Sequence, residues 1–197
     1  VIIIPKNPIN KLGDATTMQI SFSPPDITEE EIHEVAEAMR SGWITTGPRT
    51  KKLEAEIANY FHTSKVVCLN SATASLEMTL RVLGIGPGDE VITSAYTYTA
   101  SASVIDHVGA KIVLVDTAPN SFEMDYSKLA DAITDKTKVI ISVDLAGKMC
   151  DYDAIFDVVE SKKYLYKASN ELQKKINRIV VMADAAHAFG AERNGYN

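Results

Sequence analysis

The sequence predicts an α/β fold built on a mainly parallel sheet. Three observations point to it. Short apolar, β-rich runs recur at 66–69, 91–93, 112–115, 139–143 and 179–183. Stretches with helical spacing lie between them. Turn signals such as Gly84 and Gly86-Pro87-Gly88-Asp89 separate the two kinds of segment. Strands joined through helices pair in parallel, because each crossover carries the chain back to the starting edge.

The elements follow in order. Residues 1–25 have weak periodicity and four prolines, Pro5, Pro8, Pro24 and Pro25, and are expected to form an arm or lead-in. Thr28 and Glu31 make a capping box, and Ile32, Val35, Ala36 and Met39 follow at helical spacing until Gly42. A second helix starts near Pro48, with Leu53, Ile57, Tyr60 and Phe61 on one face. Val66–Leu69 is expected to be a strand, followed by a helix from about Thr73 to Leu83. Strands are expected at 91–93, 112–115, 139–143 and 179–183. Helices are expected at 98–107, 127–133 and from Asp153 to about Lys167. Lys162, Lys163, Lys167, Lys174, Lys175 and Arg178 outnumber Glu160 and Glu171 nearby, as expected of a solvated helix face.

Bulk properties narrow the function. The chain has 197 residues, 46% hydrophobic and 23% charged, and a net charge of −6. That composition excludes collagen, a disulfide scaffold and global disorder. An acidic chain is a poor nucleic-acid or anionic-membrane binder. Cys68 and Cys150 lie in or beside apolar runs without metal spacing, so free buried thiols and no metal site are expected. Val1-Ile2-Ile3-Ile4 is too short for a signal core, and no run approaches a membrane span. A soluble cytoplasmic protein is therefore expected. Gly84-Ile85-Gly86-Pro87-Gly88 follows a helix and precedes a strand, the reverse of the dinucleotide-binding order.

In open α/β sheets, ligands bind beyond the carboxyl ends of the strands. Three such ends stand out. Asn70-Ser71-Ala72-Thr73-Ala74-Ser75 leads small and hydroxylated residues into a helix, which suits a phosphate; plain N-capping explains it as well. Tyr96-Thr97-Tyr98 offers an aromatic ring for stacking, or core and interface residues. Asp184-Ala185-Ala186-His187 puts a carboxylate after an apolar strand, where burial is costly without a cation. Taken together, a phosphate anchor, a stacking ring and a carboxylate are what pyridoxal phosphate needs, since an acid beside the ring nitrogen keeps it protonated.

These segments, in this order, resemble the DegT/DnrJ-type sugar aminotransferases of the fold-type-I, aspartate-aminotransferase-like class. Ser41-Gly42-Trp43-Ile44-Thr45-Thr46-Gly47-Pro48, Gly86-Pro87-Gly88-Asp89-Glu90-Val91-Ile92, Gly109-Ala110-Lys111 through Val115-Asp116, and Ala183-Asp184-Ala185-Ala186-His187-Ala188-Phe189-Gly190-Ala191 carry the likeness from about residue 22 onward. The resemblance implies a three-layer large domain over residues 26–197, incomplete and without a C-terminal small domain. It implies that Ser71, Ala72 and Thr73 hold the cofactor phosphate. Tyr98 would cover the pyridine ring, Asp184 pair with its nitrogen and His187 contact its 3-oxygen. Thr45 would lie on the substrate side. It also implies a homodimer, a nucleotide-linked keto sugar as substrate and glutamate as amino donor.

Two departures shape the expectation. Residues 161–177 are longer and more polar than the usual link, as a surface insertion would be. The resemblance implies a Schiff-base lysine in a Ser-x-x-x-Lys segment beyond Asp184; none occurs before Asn197, so that lysine is expected downstream and no catalytic residue within the chain. Lys148 is a poor substitute. This 197-residue chain is accordingly expected to be inactive. A sugar dehydratase of the same fold, and an inactive truncated or regulatory domain, are the alternatives.

Overall fold

A computed structural model describes residues 25–195. Apart from Pro25, the expected lead-in at 1–25 lies outside the described residues. The chain divides into two units, Val1–Lys52 and Leu53–Asn197.

In the first unit, α1 spans Glu29–Arg40. The Thr28 hydroxyl accepts from the Glu30 N–H at 3.2 Å, and the Glu31 carboxylate accepts from the Thr28 N–H at 2.6 Å. The predicted capping box is therefore formed, with three glutamates at the positive end of the helix dipole. Past Gly42, the indole N–H of Trp43 donates to the Thr46 carbonyl at 3.1 Å, closing a turn over buried Gly47. A Cβ at Gly47 would fall 2.0 Å from Trp43 Nε1, so any larger residue there would displace the indole and break its bond to Thr46. Thr45 is exposed on this turn. Helix α2, Pro48–Tyr60, runs across the boundary at Lys52 and opens on a proline whose missing N–H costs nothing in the first turn.

The second unit holds α3 (Ala72–Val82), β1 (Glu90–Ser94), α4 (Thr99–His107), β2 (Lys111–Val115), α5 (Tyr126–Ala132), β3 (Thr137–Val143), α6 (Tyr152–Ser161), α7 (Glu171–Ile176) and β4 (Val180–Asp184). The strands form one parallel sheet in the order β2-β1-β3-β4. Alternate residues face opposite sides. Val91, Val139 and Ile141 pack with Leu76 and Leu80 of α3 and Val104 and Ile105 of α4. Ile92 and Ile140 pack with Leu129 of α5 and Ile155 and Val159 of α6. Each fully buried aliphatic side chain stabilises by about 1.5–3 kcal/mol. The predicted three-layer α/β architecture is what forms. Among the described residues, no helix is long and apolar enough to cross a membrane.

Two sequence expectations are corrected. Val66–Leu69 is not a strand. Val67 is 73% exposed and no described strand pairs with this run, so its β-rich composition has no ladder to join. The helix expected from Asp153 to about Lys167 ends at Ser161, and a 3-10 turn follows at Lys163–Leu165. The 161–177 segment is also more than a surface link, because it contains α7. Gln173 is buried, donates to the Leu83 carbonyl and accepts from the Ser169 N–H, both at 2.9 and 2.8 Å respectively. Lysines 163, 167, 174 and 175 of the same segment are exposed, as a solvated face requires.

Candidate functional site

The strand order places a topological switch between β1 and β3. From β1 the chain moves outward to β2, then returns to the other side of β1. Loops leaving β1 and β3 diverge there and open a crevice at the carboxyl end of the sheet. One hollow at this end is lined by Thr97 and Tyr98 after β1, Asp144 and Leu145 after β3, and Asp184 and His187 after β4. The structure thus brings together Tyr98, Asp184 and His187, three residues singled out in the sequence.

Asp184 is buried at the end of β4. Its Oδ2 accepts from the Ser101 hydroxyl at 2.7 Å, and its Oδ1 accepts a long bond from the Ala186 N–H at 3.4 Å. Among the described residues it has no cationic partner. Tyr98 caps the entry to α4 and is 77% exposed, so its ring face is free. His187 is held from behind: its Nδ1 accepts from the Ala146 N–H at 3.3 Å. That contact depends on a turn with positive φ at both Ala146 (55°) and Gly147 (80°). A Cβ at Gly147 would approach the His187 carbonyl oxygen to 3.3 Å.

Sequence reasoning missed Asp144. It follows the apolar run 139–143 as Asp184 follows the apolar run 179–183, so the same criterion would have found it. It is buried and accepts from the Cys150 N–H at 2.8 Å and from the Tyr152 hydroxyl at 3.0 and 2.9 Å. Burial pushes the Tyr152 phenol up, and the Asp144 carboxylate adds to the shift, so the phenol stays a donor. Ser101 and Thr97 were missed as well, since a serine inside a helix carries no signal of its own.

The remaining predicted residues lie elsewhere. Ser71 is the N-cap of α3, and its hydroxyl accepts from the Ala74 N–H at 3.1 Å. The capping alternative is therefore realised for Ser71. The N–H groups of Ala72 and Thr73, in the first turn of this 11-residue helix, have no intrahelical acceptor and are open to an anion. None of these three lines the Asp184 hollow. Lys148 does not either; its ammonium pairs with Glu123 at 2.8 Å. Arg193 donates to the Met149 carbonyl at 2.8 Å and pairs with Asp151 at 3.0 Å. It thereby clasps the segment after His187 to the loop after β3.

A parallel three-layer α/β sheet with a buried carboxylate at the carboxyl end of β4, meeting no cation among the described residues, is the architecture of a fold-type-I transferase large domain. The chain belongs to the DegT/DnrJ/EryC1/StrS aminotransferase family, whose profile matches residues 25–197. It is 42% identical over 172 residues to the UDP-4-amino-4-deoxy-L-arabinose–oxoglutarate aminotransferase of Shewanella sediminis, covering 87% of this chain and 40% of the relative. It is 38% identical to the spore coat polysaccharide biosynthesis protein SpsC of Bacillus subtilis, covering 86% and 40%. Spr1654 of Streptococcus pneumoniae, assigned as a sugar aminotransferase and solved in its PLP, PMP and apo forms, matches at 62% identity with a TM-score of 0.85. That match covers 87% of this chain and 43% of Spr1654 in the PMP form. The chain spans less than half the length of the relatives it matches.

The expectation of an inactive chain is overturned here. A stretch 62% identical over 87% of the chain is part of a sugar aminotransferase solved in its PLP form. The residues correspond to an intact stretch of such a protein and not to a decayed one, and the position at which the sequence stops carries no information about activity.

Proposed function

We propose that the protein carrying this sequence is a pyridoxal-phosphate-dependent aminotransferase that moves an amino group from glutamate onto a nucleotide-linked keto sugar. The observation that carries the reading is Asp184, a buried carboxylate with no cation among the described residues, in the hollow shared with the loops that leave β1 and β3. Burial of an anion is costly until a cation or strong donor meets it. A protonated pyridine nitrogen satisfies that requirement.

The residues present fit the cofactor. Oδ1 of Asp184 has only a long backbone bond and can take the ring N–H. The exposed Tyr98 ring can stack on the pyridine face. His187 accepts at Nδ1, which leaves Nε2–H to donate to the ring's 3-oxygen. The N–H groups of Ala72 and Thr73, with the hydroxyls of Ser71 and Thr73, suit the phosphate. When bound, the cofactor supplies an electron sink for the carbon that loses or gains the amino group. Asp184 would hold the ring proton, Tyr98 would lie against the ring, and His187 would orient it through the 3-oxygen.

Residues 26–197 are read as part of the large, cofactor-binding domain, and Thr45 as a substrate-side residue. The nucleotide-sugar and glutamate assignments are supported by the names of the relatives. A homodimer in the cytoplasm completes the reading. Incubating the intact protein with pyridoxal phosphate, glutamate and a panel of nucleotide-linked keto sugars tests it. Mass spectrometry should detect an amino sugar nucleotide and 2-oxoglutarate in equal amounts. Absence of both, with cofactor bound, would refute the assignment.

A further inference from the structure

Ser101 is fully buried on α4, on the face shared with Val104 and Ile105. A serine among aliphatic residues on a core-facing stripe is not explained by packing. Alanine would fill nearly the same volume without a hydroxyl to satisfy. The Ser101 hydroxyl lies 2.7 Å from Asp184 Oδ2, within the range of a charge-assisted bond. The Thr97 hydroxyl lies 2.8 Å from Ser101 Oγ. Thr97 stands between Tyr96 and Tyr98, next to the ring assigned to stacking.

The directions of these bonds follow from counting protons. An ionised carboxylate only accepts, so Ser101 must give its single hydroxyl proton to Asp184. Ser101 Oγ is then left as an acceptor toward Thr97, and Thr97 must donate. Thr97, Ser101 and Asp184 therefore form a one-way chain of donors ending on the anion.

We propose that Ser101 and Thr97 are positioning residues for the cofactor. Their chain engages Oδ2 of Asp184 and so reserves Oδ1 for the ring nitrogen, while tying the carboxylate to the segment that presents Tyr98. This rests on the reading of Asp184 and Tyr98 given above. The sheet edge and the aromatic are then aligned by one network, in which Thr97 acts only through Ser101.

The test is the affinity of the intact protein for pyridoxal phosphate, read by fluorescence titration, together with the absorbance spectrum of the bound cofactor. Ser101→Ala should weaken binding on the order of tenfold, as expected for losing a hydrogen bond to a charged group. It should also shift the absorbance maximum. Thr97→Val should weaken binding by about threefold, a smaller share of the same hydrogen-bond energy, and Thr97→Ser should restore it. The double variant should bind no worse than Ser101→Ala alone, because the two act in series. Asp184→Asn is the reference. If it abolishes binding while Ser101→Ala and Thr97→Val bind as the parent does, the relay is overturned and the reading of Asp184 stands. Additive losses in the double variant also overturn the relay. If Asp184→Asn binds as the parent does, the reading of Asp184 fails and the relay with it. Thermal melts report folding. Should Ser101→Ala fail to fold, the Thr97→Val loss and its recovery in Thr97→Ser decide the matter alone, and equal binding by both overturns the proposal.

Discussion

The two ends of the sheet both bury charge, and they treat it differently. At the amino end, Glu90 is buried but accepts from the Thr134 hydroxyl at 2.6 Å and pairs with the Lys111 ammonium at 2.9 Å. Lys138 is buried too, donates to the Lys167 carbonyl, lies 3.9 Å from Asp89 and sits over the Tyr166 ring. Each charge there is met within the protein. At the carboxyl end, Asp144 and Asp184 are buried with hydroxyl and N–H donors only, and among the described residues neither has a cation. Satisfied charge holds a fold together. A buried carboxylate met by neutral donors alone leaves room for a cationic ligand.

That contrast can be broken from either end. Asp184→Asn should lower pyridoxal-phosphate affinity by about a hundredfold, the equivalent of about 2.7 kcal/mol, and leave the melting temperature nearly unchanged. An equal loss of stability would make Asp184 a structural residue like Glu90. Glu90→Gln should do the reverse, costing about 1–3 kcal/mol of stability in a urea titration with cofactor affinity intact.

The acid response sharpens the second case. Burial raises the Glu90 carboxyl, but the Thr134 and Lys111 contacts outweigh it and hold the group below its ordinary 4.5. A lowered folded-state value stabilises above the unfolded value and is lost as the pH falls through the folded one. The parent should therefore lose stability steeply below about pH 4.5, and Glu90→Gln should show a shallower slope.

Tyr152→Phe removes the phenol that donates to both oxygens of Asp144. A loss of about 1.5 kcal/mol is expected, measured by thermal melt, because the buried carboxylate keeps only the Cys150 N–H. The smallest effect concerns thiols. Burial pushes the Cys150 thiol up to about 12, with Asp144 and Glu123 adding to it. Peptide mapping after brief alkylation at neutral pH should find Cys150 unmodified in the native protein and modified after denaturation.

Much of this was legible in the sequence. Four of the five expected strands form, because their apolar runs reach two helical layers at once. Val66–Leu69 has the same composition and fails, because a strand needs a neighbour and composition does not supply one. The capping box at Thr28 and Glu31 was readable because its atoms are local. At the site, Asp184 and Tyr98 were readable from their places beyond apolar runs. Ser101 was not, because its meaning comes from a partner 83 residues away. The role of Ala146 in holding His187 depends on a backbone turn that the residue type does not announce.

The central claim is that the Asp184 carboxylate is there to receive a protonated pyridine nitrogen. ¹⁵N NMR of pyridoxal phosphate labelled at the ring nitrogen and bound to the intact protein measures this directly. The account predicts a protonated ring nitrogen in the parent at neutral pH and an unprotonated one in Asp184→Asn. An unprotonated nitrogen in the parent, or the same signal in both proteins, would contradict it.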